Sequence, residues 1–513
     1  MRDIERNPKL ASRQEYDLVV VGGGIYGAMM ALEATLRDCS VLLLEKEDFG
    51  GATSYNSLRI IHGGLRELRT LNLQRYWTFG RERRWFLEYF PDLVERLPVL
   101  VPLYQRGLMR TSVFTLAFLV DRLLLPKRDR RVDGKRAIPY GQVLSSSEAK
   151  RLFPSAKKEG LKGGALWYDA CVPDSQRLIM EVLRLVCQMG GTALNYTPAV
   201  ELVSSQGQVE GVRARDARKD ESHRFHADTV VNAAGPWSRE MAERFGRHAP
   251  DLRPCLSAWN VLFDRESPAE CAVGAAPSGS GAQHYFLHPW EGRLLVGTGH
   301  AARENTGESP HLSQEELDDF LREVNDAFPN LELSRDEILH VYAGHLPAKR
   351  RGSPSLSKEE TWIDHSDHGG PEGLLSVQGT KFTAARSTAE TVMKHLFPDR
   401  IVPKGRHDAF RKARSERAGE RGVFDYNWAP PSSDSSWLEP LARIVEEEAV
   451  VHLDDLVLRR TNLGDNPKRA LRVAPRLCDL FDWDEKRRRN ELERLNDHFR
   501  WANAPESTAE EYV

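Results

Sequence analysis

Apolar and polar positions change period within the first fifty residues. Asp17-Leu18-Val19-Val20-Val21 is a short β-branched apolar run that stops at Gly22, and Ala28 to Arg37 then has the spacing of a helix. Ser40-Val41-Leu42-Leu43-Leu44 supplies a second apolar strand ending at Glu45, which completes a strand, helix and strand of about 30 residues, the size of a βαβ unit. A parallel sheet is therefore expected at this end of the chain. Later strand-like runs lie at Ala199–Val203, Val209–Ala214, Thr229–Asn232, Phe286–His288 and Leu294–Gly297, so the fold is assembled from distant segments. Helical periodicity marks Leu73 to Phe90, Asp174 to Met189 and an acidic stretch around Gln314–Phe328.

After residue 402 the strand pattern vanishes. Leu438–His452, Asn466–Phe481 and Glu485–Trp501 read as amphipathic helices, behind a Pro- and Ser-rich linker at Tyr426–Ser436. The stretch from Leu108 to Arg131 is different again, because its apolar centre Ser112–Val120 is flanked by Arg110, Arg122, Lys127, Arg128, Arg130 and Arg131. It is too short and too charged to span a bilayer, which takes about 20 apolar residues. Two readings fit it: a packed helix with a solvated basic loop, or a helix lying in the interface of an anionic membrane.

Composition narrows the class. The chain has 513 residues, 40% hydrophobic and 29% charged, enough for two or three domains around a large core. Its 72 Lys and Arg nearly balance 75 Asp and Glu, so no overall field points to nucleic acid. Six scattered cysteines form no C-x-x-C pair, which argues for reduced core thiols and against a metal site. Residues Met1 to Tyr16 have no apolar stretch of the secretory kind, so a cytoplasmic setting is expected.

Gly22-x-Gly24-x-x-Gly27 follows a strand and opens a helix. In that context the first glycine permits a tight turn, the second lets backbone approach a pyrophosphate, and the third lets helix and strand pack closely. The helix N-terminus then faces the phosphates. Glu45, at the end of the second strand, stands where a carboxylate accepts ribose hydroxyls and disfavours a 2′-phosphate. Val230-Val231-Asn232-Ala233-Ala234-Gly235-Pro236-Trp237 is a further strand breaking into a small-residue turn, suited to approach a dinucleotide from another side.

The run Thr53-Ser54-Tyr55-Asn56-Ser57-Leu58-Arg59-Ile60-Ile61-His62-Gly63-Gly64-Leu65-Arg66, with Asn232–Trp237 and Gly379-Thr380-Lys381-Phe382-Thr383, resembles the flavin-linked glycerol-3-phosphate dehydrogenases, within the glycine/D-amino-acid oxidase-like flavoproteins. The likeness continues through Ser334-Arg335-Asp336-Glu337 and into the tail at Leu453-Asp454-Asp455 and Arg459-Arg460-Thr461-Asn462-Leu463-Gly464, and so covers nearly the whole chain in order. The resemblance implies an α/β fold: a Rossmann-like FAD-binding domain built from discontinuous segments (1–110, 160–248 and 335–402), an α+β cap domain (249–334), a basic amphipathic insertion (111–159) and a C-terminal helical domain (403–513). It also implies noncovalent FAD, oxidation of a secondary alcohol, and electrons passed to membrane quinone, with an oxygen-using oxidase as the close relative. The implied cofactor set is Gly22, Gly24, Gly27, Glu45, Thr53, Ser54, Ser57, Val200, Ala234, Gly235, Gly379, Thr380, Phe382 and Thr383. Expected partners are a small-molecule substrate, quinone or another acceptor, and an anionic membrane on its inner face; homodimerisation is open.

Oxidising an alcohol with a flavin needs a base for the hydroxyl proton and positive charge beside the ring. His62 suits the base, since imidazole titrates near neutral pH, and the neighbouring Gly63-Gly64 leaves room for a ring system. Arg66 is the substrate-contacting arginine by motif match, and its planar fork suits a carboxylate or phosphate. Lys381 would lie close to the flavin by resemblance. Arg59 and Lys358 are further substrate candidates.

Four positions depart from the family pattern. Leu346 replaces an arginine that helps hold phosphate, Glu67 stands where tyrosine is usual, and Gly299-His300 replaces a Thr-Asp pair. A lost bidentate phosphate contact is worth roughly 1.5–3 kcal/mol, or about tenfold or more in preference. Glycerol 3-phosphate or a related polyol phosphate is thus the expected substrate, with a non-phosphorylated hydroxy compound, an amine or an amino acid as alternatives.

Overall fold

A computed structural model describes residues 4–104, 110–125, 132, 134, 136–246, 252–278, 283–303, 310, 312–417 and 437–499. The linker expected at Tyr426–Ser436 lies outside them, as do Lys127, Arg128, Arg130 and Arg131.

Two sheets organise the chain. In the first, strands run in the order Thr361–Asp364, Leu374–Gln378, Glu221–Asn232, Glu15–Val21, Val41–Leu44 and Thr192–Leu194. The central strand Glu15–Val21 pairs in parallel on both sides, with Val21 opposite Asn232 and Leu44. Its apolar run is continuous because helices cover one face and a second layer of strands the other, so no position alternates to water. The helix Ile25–Leu36 is buried at all but one residue, wedged between the sheet and the helices Ser175–Gln188 and Ala385–Leu396.

The second sheet runs Ile338–Pro347, Cys255–Phe263, Arg293–Ala302, Tyr285–Trp290, Ala272–Ala275, Glu95–Leu103, Gly163–Cys171 and Ile60–Ile61. Gln314–Ala327 packs against it through Phe320, which meets Trp259 and Tyr285 edge-on. This sheet draws strands from 95–171 as well as from 255–347, so the boundaries 111–159 and 249–334 drawn from the sequence cut through it. The strands Glu95–Leu103 and Gly163–Cys171 were illegible for a local reason: the first carries Pro98 and Pro102, the second opens on Gly163-Gly164, and all four read as breakers.

The C-terminal helices form at Leu438–Glu447, Pro467–Leu477 and Glu485–Phe499. The first ends short of the expected His452 because Ala449 takes φ +53°, a left-handed turn that redirects the chain into Leu453–Asp455. This unit has its own apolar cluster, around Leu441, Leu456, Val473 and Leu495. It is tied to the cofactor half by buried ion pairs: Arg460 with Asp48, Glu448 with Arg177, and Asp465 with Arg59.

Thr111–Leu124 is a helix. Phe118 and Asp121 are buried and Phe114 stacks over Trp167, while Leu116, Leu119 and Leu123 are exposed at 62, 54 and 71%. Among the described residues no helix is long and apolar enough to cross a membrane.

Candidate active site

A cleft of about 440 Å³ opens where the parallel strands end and reaches the underside of the second sheet. This is the switch-point position at which open α/β sheets bind ligands.

The glycine loop forms one wall. Gly22 takes φ +113°, and a Cβ there would meet the Ala233 carbonyl oxygen at 2.5 Å. A Cβ on Gly27 would lie 1.8 Å from the Gly22 carbonyl oxygen, so the third glycine sets how closely helix and strand approach. Gly24 precedes the first helical turn with extended backbone and no side-chain cap of its own. Ser54 Oγ, from a distant segment, accepts from Ile25 N at 3.0 Å. Glu45 accepts from Gly23 N at 2.6 Å and from Glu47 N at 3.0 Å, so it holds the loop as well as lining the cleft. Burial pushes its carboxyl up despite those two bonds. A crowded backbone turn with an acid at the end of the second strand is the donor and acceptor set an ADP moiety requires.

Gly22, Gly24, Glu45, Thr53, Ser54, Ser57, Ala234, Gly235, Gly379, Thr380 and Phe382 all line the cleft, as do His62, Arg66 and Lys381. Four expected residues do not. Gly27 acts from behind, by packing. At the strand Ala199–Ser205 the lining comprises Pro198 and Ala199, and Val200 alternates to the other side of the pleat. Thr383 is buried and accepts from His62 N at 2.9 Å, so it positions the imidazole instead of facing the cleft. Lys358 is exposed, as are Lys349, Arg350 and Arg351, and none lines the cleft.

Arg59 touches the cleft but spends its guanidinium elsewhere. Its two terminal nitrogens bind Asp465 at 2.9 and 2.5 Å, Pro173 O accepts at 2.6 Å, and Trp290 lies 4.4 Å from the guanidinium carbon. The substrate role expected of it gives way to a structural one.

His62 sits at the junction of the two sheets. Its Nδ1 is 3.4 Å from Asp169 Oδ2, and Asp169 Oδ1 accepts from Gly63 N at 2.8 Å. Arg83 approaches the same carboxylate at 3.8 Å and donates to Tyr168 O at 2.6 Å. Burial pushes the His62 imidazole below its usual value and outweighs the Asp169 hydrogen bond, with Lys381 and Arg66 pushing the same way. Burial alone would raise Asp169, but His62, Arg83 and the Gly63 N–H together hold it low. The result is a neutral imidazole beside an ionised carboxylate. The space expected beside Gly63-Gly64 is already filled: a Cβ on Gly63 would meet the Arg83 guanidinium at 1.9 Å.

Asp169 and Arg83 escaped the sequence reading. The available signal was one acid inside the apolar run Gly163–Cys171, a position that demands a buried partner.

Lys381 Nζ is 3.4 Å from Glu67 Oε1 and 4.6 Å from the centre of the Phe79 ring, and burial lowers its amine below the usual range. The Arg66 guanidinium carbon lies over Phe286, 4.1 Å from the ring centre. Asn260, Thr298 and His300 close the cleft from the second sheet. His300 Nδ1 is 3.1 Å from Gln283 Oε1, and burial lowers its imidazole to about 4.

Among the described residues one group has metal-ligand spacing, His452, Asp454 and Glu491. Arg494 pairs with Asp454 and Arg487 with Glu491, which neutralises it as a cation site.

Residues 17–393 match the family model described as FAD dependent oxidoreductase. The chain is 29% identical over 419 residues to the aerobic glycerol-3-phosphate dehydrogenase of Bacillus subtilis (strain 168), covering 79% of this chain and 71% of that one. To the protein of the same name from Staphylococcus aureus (strain USA300) it is 31% identical over 396 residues, covering 76% and 68%. The solved glycerol-3-phosphate dehydrogenase of Bacillus halodurans, complexed with FAD, superposes with a TM-score of 0.70 at 22% identity over 96% of both chains. The chain therefore belongs to the FAD dependent oxidoreductases, in the branch of the aerobic glycerol-3-phosphate dehydrogenases.

Proposed function

We propose that this protein oxidises the carbinol carbon of a small secondary alcohol of the glycerol type to the ketone, with glycerol 3-phosphate as the reference substrate, and passes the electrons to membrane quinone. The observation that carries the reading is the His62 imidazole, its Nδ1 3.4 Å from Asp169, lining the cofactor cleft together with Lys381.

FAD would be held noncovalently by the Gly22–Gly27 loop, Glu45 and the turn at Ala234-Gly235, and would supply the two-electron acceptor. With Nδ1–H donated to Asp169, His62 keeps its lone pair on Nε2, the nitrogen available to take the hydroxyl proton. Lys381 stabilises the oxyanion that develops as the proton leaves. Arg66, laid on Phe286, presents its fork to the polar end of the substrate. Asn260 and Thr298 add polar contacts from the cap side.

The yellow holoprotein should bleach anaerobically when glycerol 3-phosphate or another polyol is added. A panel of polyols and polyol phosphates that leaves the spectrum unchanged would sink the reading, and peroxide release with amino acids alone would favour the amino-acid oxidase alternative.

Peripheral attachment to an anionic membrane is part of the proposal. Leu71, Leu73 and Trp77 are exposed, as are Leu116, Leu119 and Leu123 on the helix Thr111–Leu124, and Tyr76 links the two segments by donating to Asp121 at 2.7 Å. Arg110, at the N-cap, and Arg122, on the helix Thr111–Leu124, are exposed. An apolar patch edged by arginine suits the headgroup interface. Burying each leucine contributes roughly 1.5–3 kcal/mol, so the triple change Leu116→Glu, Leu119→Glu and Leu123→Glu should abolish co-sedimentation with phosphatidylglycerol vesicles. Equal sedimentation of the variant and the wild type would refute the docking face.

A further inference from the structure

Eleven of the twelve residues of the helix Ile25–Leu36 are buried, and the exception, Tyr26 in its first turn, lines the cleft. Tyr26 is one of the two unspecified positions between Gly24 and Gly27, so it stands on the element that opens toward the cofactor phosphates. Its phenol reaches across 355 residues to donate to the Lys381 carbonyl oxygen at 3.0 Å. Burial, with Glu360 acting the same way, pushes the phenol well above its usual range, so it keeps its proton and remains a donor.

The two segments fit closely. A Cβ on Gly379 would lie 2.0 Å from both Cζ and Oη of Tyr26, so only glycine lets the chain pass the ring. Next along, Thr380 Oγ1 donates to Ser357 O at 2.9 Å, and Lys381 O also accepts from Ala384 N at 3.1 Å, where the turn Phe382–Ala384 begins. Thr383 in that turn accepts from His62 N at 2.9 Å. The segment 379–383 therefore carries Lys381 and also holds the backbone of His62. Lys381 is gripped at both ends, its ammonium 3.4 Å from Glu67 Oε1 and its carbonyl by the Tyr26 phenol.

We propose that Tyr26 is a positioning residue for the oxidation: through the Lys381 carbonyl its phenol fixes where Lys381 stands in the cleft, and so ties the cofactor-binding helix to the reacting end. A group that stabilises developing charge is effective only when held in place before the reaction, because reorganising it during the step costs rate. The bond from Tyr26 supplies that restraint from an element that moves with the cofactor loop, not with the substrate.

The inference rests on the alcohol-oxidation reading, in which Lys381 stabilises the oxyanion. The test uses Tyr26→Phe, which keeps the ring against Gly379 and leaves Lys381 O its bond from Ala384, so the melting temperature of the holoenzyme should stay within about 2 °C of wild type. The maximal rate of anaerobic flavin reduction by glycerol 3-phosphate should fall about tenfold, with the half-saturating concentration changed by less than about twofold. In a Lys381→Gln background, read as a single slow turnover, the same change should cost less than about twofold, because the phenol then has no ammonium to position. Hydrogen exchange reads the restraint without turnover: the Ala384 and His62 amides, both bonded to this segment, should exchange roughly tenfold faster in Tyr26→Phe. An equal rate loss in both backgrounds, a raised half-saturating concentration at full rate, or unchanged exchange would overturn the assignment. If no alcohol reduces the wild-type flavin, the alcohol reading fails, and the exchange measurement still decides whether Tyr26 holds the segment.

Discussion

Replacing His62 with Gln should slow anaerobic flavin reduction by roughly 100- to 10,000-fold, the range lost when a positioned general base is removed. The expectation follows from geometry first: His62 lines the cleft, its backbone N–H is tied to Thr383, and its Nδ1 faces Asp169. The pH profile carries a second, independent signature. The wild-type acid limb should lie below the ordinary imidazole value of 6.5, because burial favours the neutral ring and outweighs the Asp169 hydrogen bond. Asp169 works in the opposite direction, favouring the protonated ring. Asp169→Asn should therefore move the acid limb to still lower pH while lowering the plateau rate, as the ring loses the acceptor that fixes its tautomer. A His62→Gln enzyme within a few-fold of wild type, with an unchanged profile, would show that the proton leaves by another route.

Arg59→Ala should cost about 3–5 kcal/mol of stability, the usual result of stripping one partner from a buried ion pair. Both side chains are about 1% exposed, and Asp465 would be left with Tyr342 Oη, 2.8 Å away, but without its guanidinium. Arg59 also takes φ +57°, a conformation that persists in a bulky residue only where its surroundings impose it. The pair joins the C-terminal unit to the segment bearing Ser57 and Leu58, so urea unfolding and FAD retention should both weaken. The double change Arg59→Met with Asp465→Leu should recover much of the loss, since it leaves no uncompensated charge. Near-wild-type stability of the single variant, with only a raised KM, would return Arg59 to the substrate role that its motif suggested.

Local features were readable where one short segment carries the whole constraint. The first βαβ unit appears as expected because Asp17–Val21, the three glycines and Ser40–Leu44 encode strand, turn and strand within a few residues of one another. The helix Ser175–Gln188 was legible in the same way, from its period, and in the structure Asp174 caps it by accepting from Arg177 N at 2.8 Å. The strand Glu95–Leu103 was not, because its prolines are tolerated only through tertiary pairing: Ala272–Ala275 pairs with Val99 and Leu100 alone, which leaves Pro98 and Pro102 paired on one side, to Gly163–Cys171.

The site divides along the same line. The sequence by itself determined the cofactor end, since a glycine loop followed by an acid is a local device whose chemistry depends on spacing within the chain. It also nominated His62, Arg66 and Lys381, which the structure brings to one cleft. Only the tertiary structure decided what each charge does there. Asp169 reaches His62 across 107 residues, Glu67 reaches Lys381 across 314, and Asp465 binds the Arg59 guanidinium across 406. The physical reason is that a charge's function depends on which opposite charge is buried beside it. That pairing is fixed by chain crossings between the two sheets and the C-terminal unit, and no spacing along the sequence encodes it.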